Sequence, residues 1–592
     1  MRVSSLQSAS VALRVALVTP HAWSVPHETN EHVAGLADAL RRRDHDVVII
    51  APSSRSAELV AGRRALQAGR LEGVVACCPA VPLSARSAVR IPVGLRATAA
   101  TALRLGGFDV VHGFDPGIAG LSYAALLEAD STTAATFVDP ERLGFPPRRT
   151  HRDRLLARID VLLAAGEEVA ERAAERFPGA YGLLPPGVEP SLLRATAKRR
   201  LVVVESTAGG RPVVRAVLRA LRSAPGWEAI LLRTLRLAAR PSIPLALRDR
   251  VHVRTALRSD SRARLIADAA IVVPSVDGLA RLRDEAAAAG CALVDPPGVA
   301  EQPELAAAAL LRFVDDEDAR EADGARRRSA SEGRTFDHVA EEVEKRYLEA
   351  RRRRRVPRRN ASEPLADRDW LVADLHMHTS HSGDCTVEPI ALLDHAQSEG
   401  LGAIAITDHN VFGGALECVE LARDRELVVI PGEEVKTESD GEVIGLFLRE
   451  EIPHGMSFAD TIVAIREQDG IVYVPHPFDR LHSIPSPAIL HRHLGEIDVL
   501  EVYNARLLFD AYNDEALRFA RKYGLLQGAG SDAHVLQGVG TGALRMRRFH
   551  DPEEFLLSLR TATVLRRPKS LAYLQSLKWV AQVRERVGGG GS

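Results

Sequence analysis

Val372-Ala373-Asp374-Leu375-His376-Met377-His378 is a short apolar run that ends on two histidines two residues apart. On a strand, residues i and i+2 share a face, so His376 and His378 can point their imidazoles the same way. The stretch has company. Further strand-like runs lead to Asp408-His409, Glu433-Glu434, Glu442, His476, Asn504 and Asp532-Ala533-His534. Apolar runs that repeatedly stop at His, Asp or Glu collect metal-binding side chains at one end of a sheet. The pattern predicts a polynuclear metal site, and with it a hydrolytic enzyme.

Helical segments fill the gaps between these runs. Val387 to Ser398 carries an apolar face, Ser457-Phe458-Ala459-Asp460 has a capping-box character, and Asp551-Pro552-Glu553-Glu554 places a capping Asp before a first-turn Pro. From Trp370 to about Pro568, seven strand-and-helix units predict a closed or nearly closed barrel. Its chemistry would gather at the mouth formed by the C-terminal ends of the strands. The residue types then sort into three ion sites. His376 and His378 bind one ion, completed by Asp532 and by Glu434 as a bridging carboxylate. His476 serves the second ion, and Asp384, His409 and His534 collect a third. Mixed imidazole and carboxylate shells suit Zn, Mn or Fe, so two or three such divalent ions are the expected cofactors.

This region resembles the polymerase and histidinol phosphatase (PHP) family of metal-dependent phosphoesterases. Asp374-Leu375-His376-Met377-His378 matches the first motif, with Asp384 a ligand position six residues beyond the second His. Thr407-Asp408-His409, Pro431-Gly432-Glu433-Glu434, Val474-Pro475-His476-Pro477 and Ser531-Asp532-Ala533-His534 match the others in order. The resemblance implies a distorted seven-stranded (β/α) barrel with a trinuclear site that hydrolyses phosphate esters. One position departs from the pattern. Many members supply another His three residues before a glycine, where this chain has Glu442 before Gly445. An oxygen ligand there tilts the second ion toward Mn or Fe over Zn. Asp532 and His534 are candidates to pass a proton to the leaving oxygen, and Asp408 to orient a ligand. Arg480 is the first candidate to grip phosphate, ahead of Arg506 and His482. His381, His395, His454, His491 and His493 read as solvated surface residues.

The first 350 residues read differently. Strand patterns at Leu13–Val18, Val47–Ala51, Val110–Val111, Val161–Ala164, Leu201–Val204, Ile230–Leu232, Val251–Val253 and Ile271–Val273 alternate with helices, which predicts parallel sheets covered on both faces. A break near Gly187 to Lys198 gives two Rossmann-like halves. Here the chain resembles retaining GT-B glycosyltransferases that use nucleotide sugars. The motifs are Arg14-Val15-Ala16-Leu17-Val18-Thr19-Pro20, Asp109-Val110-Val111-His112, Pro185-Pro186-Gly187-Val188-Glu189, and Ser275-Val276-Asp277-Gly278 before Glu285-Ala286-Ala287-Ala288-Ala289-Gly290. Much of the chemistry expected from the resemblance is absent. His21-Ala22-Trp23-Ser24-Val25-Pro26-His27 has no glycine where a Gly-rich loop would approach a diphosphate. The stretch after Val204 offers Arg211 but no Lys in its helix, and the paired acidic residues survive only as Asp277 and Glu285. The leading expectation is therefore a scaffold that has lost its donor site; an active glycosyltransferase with the barrel as accessory is the alternative. A metal-stabilised binding protein is a third reading.

At 592 residues the chain needs several cores, since a domain takes roughly 150 residues. The expected order is halves at 1–190 and 191–350, a linker at 351–369, the metal domain at 370–570, and a C-terminal helix with a Gly/Ser tail at 571–592. Phe336 to Arg355 reads as an amphipathic helix with Val339, Val343, Tyr347 and Leu348 on one face, running into the arginines 351–355. With no aromatic residues between them, those arginines read as a solvated helix end and not as a nucleic-acid patch. The net charge of -1 also argues against nucleic acid or a membrane surface as a general partner; a small phosphorylated substrate is what the PHP resemblance implies. No run of about 18 apolar residues predicts a membrane span. Arg14 interrupts the only apolar stretch near the start, so no secretory signal is expected. Five cysteines without a CxxC pair fit a reducing cytoplasm.

Overall fold

The computed structural model describes residues 12–25, 27–82, 90–92, 95–194, 196–234, 241–255, 259–275, 280–353, 365–480 and 484–567. The expected C-terminal helix and tail at 571–592, Asp277, His482 and most of the linker lie outside the described residues. The chain divides into two compact units, 1–155 with 159–348, and 156–158 with 349–592.

The first unit contains two sheets. In the larger, strands at 74–82, 46–53, 14–18, 110–114, 132–137, 161–164 and 181–183 lie side by side and parallel, with 90–92 antiparallel at one edge. The smaller sheet runs 251–255, 228–233, 199–205, 269–273 and 292–293, all parallel. Their Val, Ile and Ala runs are buried because helices cover both faces. The unit is thus a pair of Rossmann-like halves, the GT-B pattern. Helix Phe336–Arg353 returns to the larger sheet: Phe336, Val339, Val343 and Tyr347 are buried with Leu13, Val15 and Leu36 in one core. Gly35 is required by this packing, since a side chain there would collide with the Phe336 ring.

Two histidines lie in the same core. His112 stacks on Phe114 at 4.4 Å and bonds Tyr347 Oη at 2.6 Å and Thr136 Oγ1 at 2.7 Å. Burial, helped by Arg281, pulls His32 down to about 4; burial, with His32 nearby, pulls His112 down to about 3. Both are neutral when folded at pH values where the unfolded chain binds a proton. Their penalty is therefore absent above about pH 6.5 and grows as pH falls, each group removing up to about 1.4 kcal/mol per pH unit. We expect the urea midpoint of this unit to be flat above pH 7 and to drop steeply between pH 6 and pH 4. A midpoint unchanged down to pH 4.5 would contradict these assignments.

Among the described residues the second unit holds nine strands: β1 (Trp370–Met377), β2 (Ala403–Ile406), β3 (Val428–Lys436), β4 (Glu442–Leu446), β5 (Ile471–Val474), β6 (Val499–Asn504), β7 (Leu526–Gly530), β8 (Gly542–Arg547) and β9 (Thr563–Arg566). They are ordered β7-β6-β5-β4-β3-β2-β1-β8-β9. The seven strands β1–β7 curl into a nearly closed barrel. Its seam is joined by Asp532 N donating to His376 O (2.8 Å) and His378 N to Ala533 O (3.1 Å), just beyond β7. The helix caps foreseen at Ser457 and Asp551 form, each side chain accepting the backbone N–H three residues on.

Two expectations need correction. The barrel is not seven repeated strand-and-helix units, because β4 pairs antiparallel with both β3 and β5. Only residues 437–441 join β3 to β4, too few for a crossover helix and enough for a hairpin. Gly441 in that turn has φ of 88°, a conformation that favours glycine. The hairpin β8–β9 also adds two strands outside the seven, on the far side of β1.

Candidate metal centre

The reversal of β4 decides where Glu442 lies. As the first residue of an antiparallel strand, it stands at the same mouth as the C-terminal ends of β1, β2, β3 and β5. It pairs in register with Lys436, two residues beyond Glu434. Strand alternation does the rest. His376 and His378 are fully buried on the inner face of β1, while Met377 between them packs into the apolar core outside. Glu434 faces inward; its neighbour Glu433 faces away and accepts Ile452 N at 2.9 Å.

Glu434 is the hub. Its Oε2 is 3.2 Å from His376 Nε2, 3.5 Å from His378 Nε2 and 3.1 Å from His409 Nδ1. Its Oε1 is 3.1 Å from His476 Nε2. Asp532 Oδ1 forms a second focus, 3.4 Å from His378 Nε2, 3.9 Å from His376 Nε2 and 3.4 Å from His534 Nδ1. Asp384 reaches His534 Nε2 at 2.9 Å and His409 Nε2 at 4.0 Å. Glu442 Oε2 is 3.8 Å from His476 Nε2.

These contacts resolve into four overlapping trios whose ligand atoms lie within 4.8 Å of one another. They are His376/His378/Asp532, His376/Glu434/His476, His409/Glu434/Glu442 and His378/His409/His534. All nine residues expected as ligands are therefore brought to one mouth. Two trios share Glu434, as expected of a bridge. His378 joins His409 and His534 more closely than the sequence reading placed it, and Asp384 enters through His534.

The donor set fits divalent ions. His378 Nε2 is buried with no hydrogen-bond partner, aimed between the carboxylates of Glu434 and Asp532. An imidazole so placed offers its lone pair to a cation. Electrostatics agree. Burial opposes the charged form of Glu434, but His376 and His409 outweigh it and hold the carboxyl well below its ordinary range. Asp532 is held low in the same way, chiefly by Arg506 and His376. Burial and the neighbouring His534 keep His378 well below its ordinary value, hence neutral. Against burial, carboxylates led by Glu434 raise His376 well above its usual value and His476 to about 9. His476 and Asp532 also have φ of 26° and 52°, strain of the kind that proteins concentrate at functional sites.

Supporting residues hold the ligands in place. Glu501, which sequence reading missed, is buried and accepts from Tyr473 Oη (3.1 Å), His476 N (2.8 Å) and Asn504 Nδ2 (3.0 Å), with His376 Nδ1 at 3.0 Å. Its signal was a lone carboxylate inside the apolar run Val499 to Tyr503. Asn504 also bonds Asp532 Oδ2 at 3.2 Å. Asp408 accepts from Thr379 N and Oγ1, both at 2.6 Å, and from Ser382 Oγ at 3.0 Å, so it orders the loop beneath His378. Arg480 is half-buried in the loop after His476. Arg506 reaches the centre, with Nη1 3.1 Å from Asp532 Oδ1. Among the histidines read as surface residues, His381 and His454 are exposed, His395 and His491 are half-buried, and His493 is buried against Phe458.

The other candidate site looks different. Glu285 is buried, and both its oxygens are engaged: Arg262 donates at 2.7 and 2.8 Å and Arg281 at 2.9 Å. Arg262 also bonds Glu31 of the other half at 2.6 Å. The carboxylate expected to meet donor hydroxyls is thus part of an internal quartet.

Comparison with known proteins follows the same division. Residues 374–520 match the model described as PHP domain, 510–564 that described as PHP-associated, and 29–192 that described as Glycosyltransferase Family 4. The chain is 35% identical over 214 residues to the uncharacterized protein MJ0417 of Methanocaldococcus jannaschii, covering 34% of this chain and 85% of that protein. It is 37% identical over 144 residues to MJ1587 of the same organism, covering 23% and 84%. The chain belongs to the PHP-domain family through its second unit, and its first unit is a glycosyltransferase-like region. That region is 32% identical over 167 residues to a phosphatidyl-myo-inositol mannosyltransferase of Propionibacterium freudenreichii, covering 27% of this chain and 42% of that enzyme.

Proposed function

We propose that the domain at 370–570 hydrolyses phosphate esters of a small molecule at a centre of two or three divalent ions. His376, His378, Asp384, His409, Glu434, Glu442, His476, Asp532 and His534 are the ligands in this reading. The observation that carries it is Glu434, a single buried carboxylate with four imidazole nitrogens within 3.5 Å. One carboxylate that serves two neighbouring cations is what two-metal hydrolysis requires. Bound ions would acidify water and offset the negative charge that develops on phosphorus. The protein's own groups do the remainder. Arg506, a planar donor beside the ligands, joins Arg480 as a candidate to grip the phosphate oxygens. In this reading His534 or Asp532 passes on the proton that the leaving oxygen takes as its bond to phosphorus breaks. Glu501 fixes His376 and the backbone of His476.

Glu442 bears on metal identity. With Glu434 it makes the trio around His409 rich in oxygen, which favours Mn or Fe over Zn. We expect purified protein to contain more Mn or Fe than Zn by elemental analysis, and Glu442→His to shift the balance to Zn. A zinc-dominated wild type would count against this assignment. The first unit, in this reading, is a scaffold without a donor site, because Glu285 is bound internally. No described helix is long and apolar enough to cross a membrane. The five cysteines, none in a disulfide, fit a cytoplasmic setting. Phosphate release from a panel of phosphomonoesters and phosphodiesters with added Mn tests the proposal; no release from any of them, with the ions bound, would refute it.

A further inference from the structure

The loop that leaves β6 carries side chains in contrasting surroundings. Arg506 is held at the centre, with Nη1 3.1 Å from Asp532 Oδ1 and 3.0 Å from His534 Nδ1. Leu507 turns inward, whereas Leu508 and Phe509 are 57% and 52% exposed. Chain geometry limits how far away they lie. Three trans peptide units separate the Cα atoms of Arg506 and Phe509, so these lie within about 11 Å of each other.

The exposed edge is braced. The Phe509 ring stands edge-on to Tyr512 with centroids 5.8 Å apart. The next residue, Asp510, is tied to Arg566 at 3.4 Å and to Asn513 at 3.2 Å. Arg566 in turn lies over the Tyr503 ring, 4.7 Å from its centroid. A held aromatic edge therefore flanks a guanidinium that faces the ligand cluster. Exposed apolar side chains grouped beside a polar, concave centre are the usual make-up of a small-molecule site.

We propose that Leu508 and Phe509 recognise the organic half of the substrate, and that this half is a flat aromatic ring, as in a nucleoside monophosphate. The proposal rests on the phosphoesterase reading. Phosphate at Arg506 fixes one end of such an ester, and the span along the loop allows the other end to meet Phe509. An all-sugar alcohol would call for hydrogen-bonding partners, which neither side chain supplies. A base laid on an aromatic ring typically gains about a factor of ten or more in affinity.

The test compares adenosine 5′-monophosphate with ribose 5-phosphate on the full chain with Mn, by calorimetric affinity and by kcat/KM. Wild type is expected to favour the nucleotide at least about 10-fold. Phe509→Ala should cut that preference about 10-fold, mainly in KM, and Phe509→Trp should retain it. A preference equal within twofold in wild type and Phe509→Ala overturns the proposal, as does absence of nucleotide binding or a preference for ribose 5-phosphate. Self-association lost in Phe509→Ala, with the preference unchanged, would reassign the edge to a second copy of the chain. Preferential binding of the nucleotide, with no phosphate released from it or from any ester of the phosphomonoester and phosphodiester panel, would uphold this inference and remove the phosphoesterase reading, so the two failures are distinguishable.

Discussion

Alanine at both His376 and His378 is expected to remove bound metal and hydrolysis together. The pair supplies nitrogen ligands to three of the four trios, and every trio that contains Asp532 or His534. Without them Glu434 and Asp532 keep their negative charge but lose the imidazoles that help to hold an ion between them. Metal content should fall to background by elemental analysis, and turnover by at least about 10³-fold, which corresponds to about 4 kcal/mol of transition-state stabilisation. The loss should sit in kcat/KM and should not be recovered by excess Mn. Both residues are fully buried in the seam of the barrel, so a thermal melt must accompany the assay. A folded double variant with unchanged turnover would sink the mechanism.

Arg262→Ala should produce the largest effect on stability. Arg262 and Glu285 have side chains 4% and 2% exposed, and Glu31, 20% exposed, shares the same guanidinium. Deleting the arginine leaves Arg281 as the remaining partner for two carboxylates. Removal of one member of a buried ion pair typically costs about 3–5 kcal/mol, because the partner charge stays buried. We expect the urea midpoint of the first unit to drop accordingly. Arg262→Ala combined with Glu285→Ala should recover part of the loss, since it removes the stranded charge. A midpoint within error of wild type would show that the quartet behaves as a solvated surface pair.

Much of this organisation was legible in the chain itself, for identifiable reasons. The barrel strands are compact Val, Ile and Ala runs that each release a polar residue at one end, and that combination has few structural meanings. The nine positions proposed as ligands were read from it and from the motif resemblance. Glu501 escaped because it lies inside its run, three residues before the expected Asn504, and supports ligands without being one. Glu442 was found, but its route to the mouth was not, since a hairpin strand that enters the site at its first residue resembles a parallel one in sequence. Strand Thr132–Phe137 was overlooked because Thr and Ala dilute its apolar character, although all six residues are buried. His493 was read as solvated because its contact with Phe458 spans 34 intervening positions, beyond the reach of local pattern.

The most direct measurement is phosphate release by protein stripped of metal with chelator and then titrated with Mn. The account predicts no release from the stripped protein, and release that rises with Mn and saturates at two to three equivalents per chain. Release that persists after stripping, or its absence at full Mn occupancy across phosphomonoesters and phosphodiesters, would contradict it.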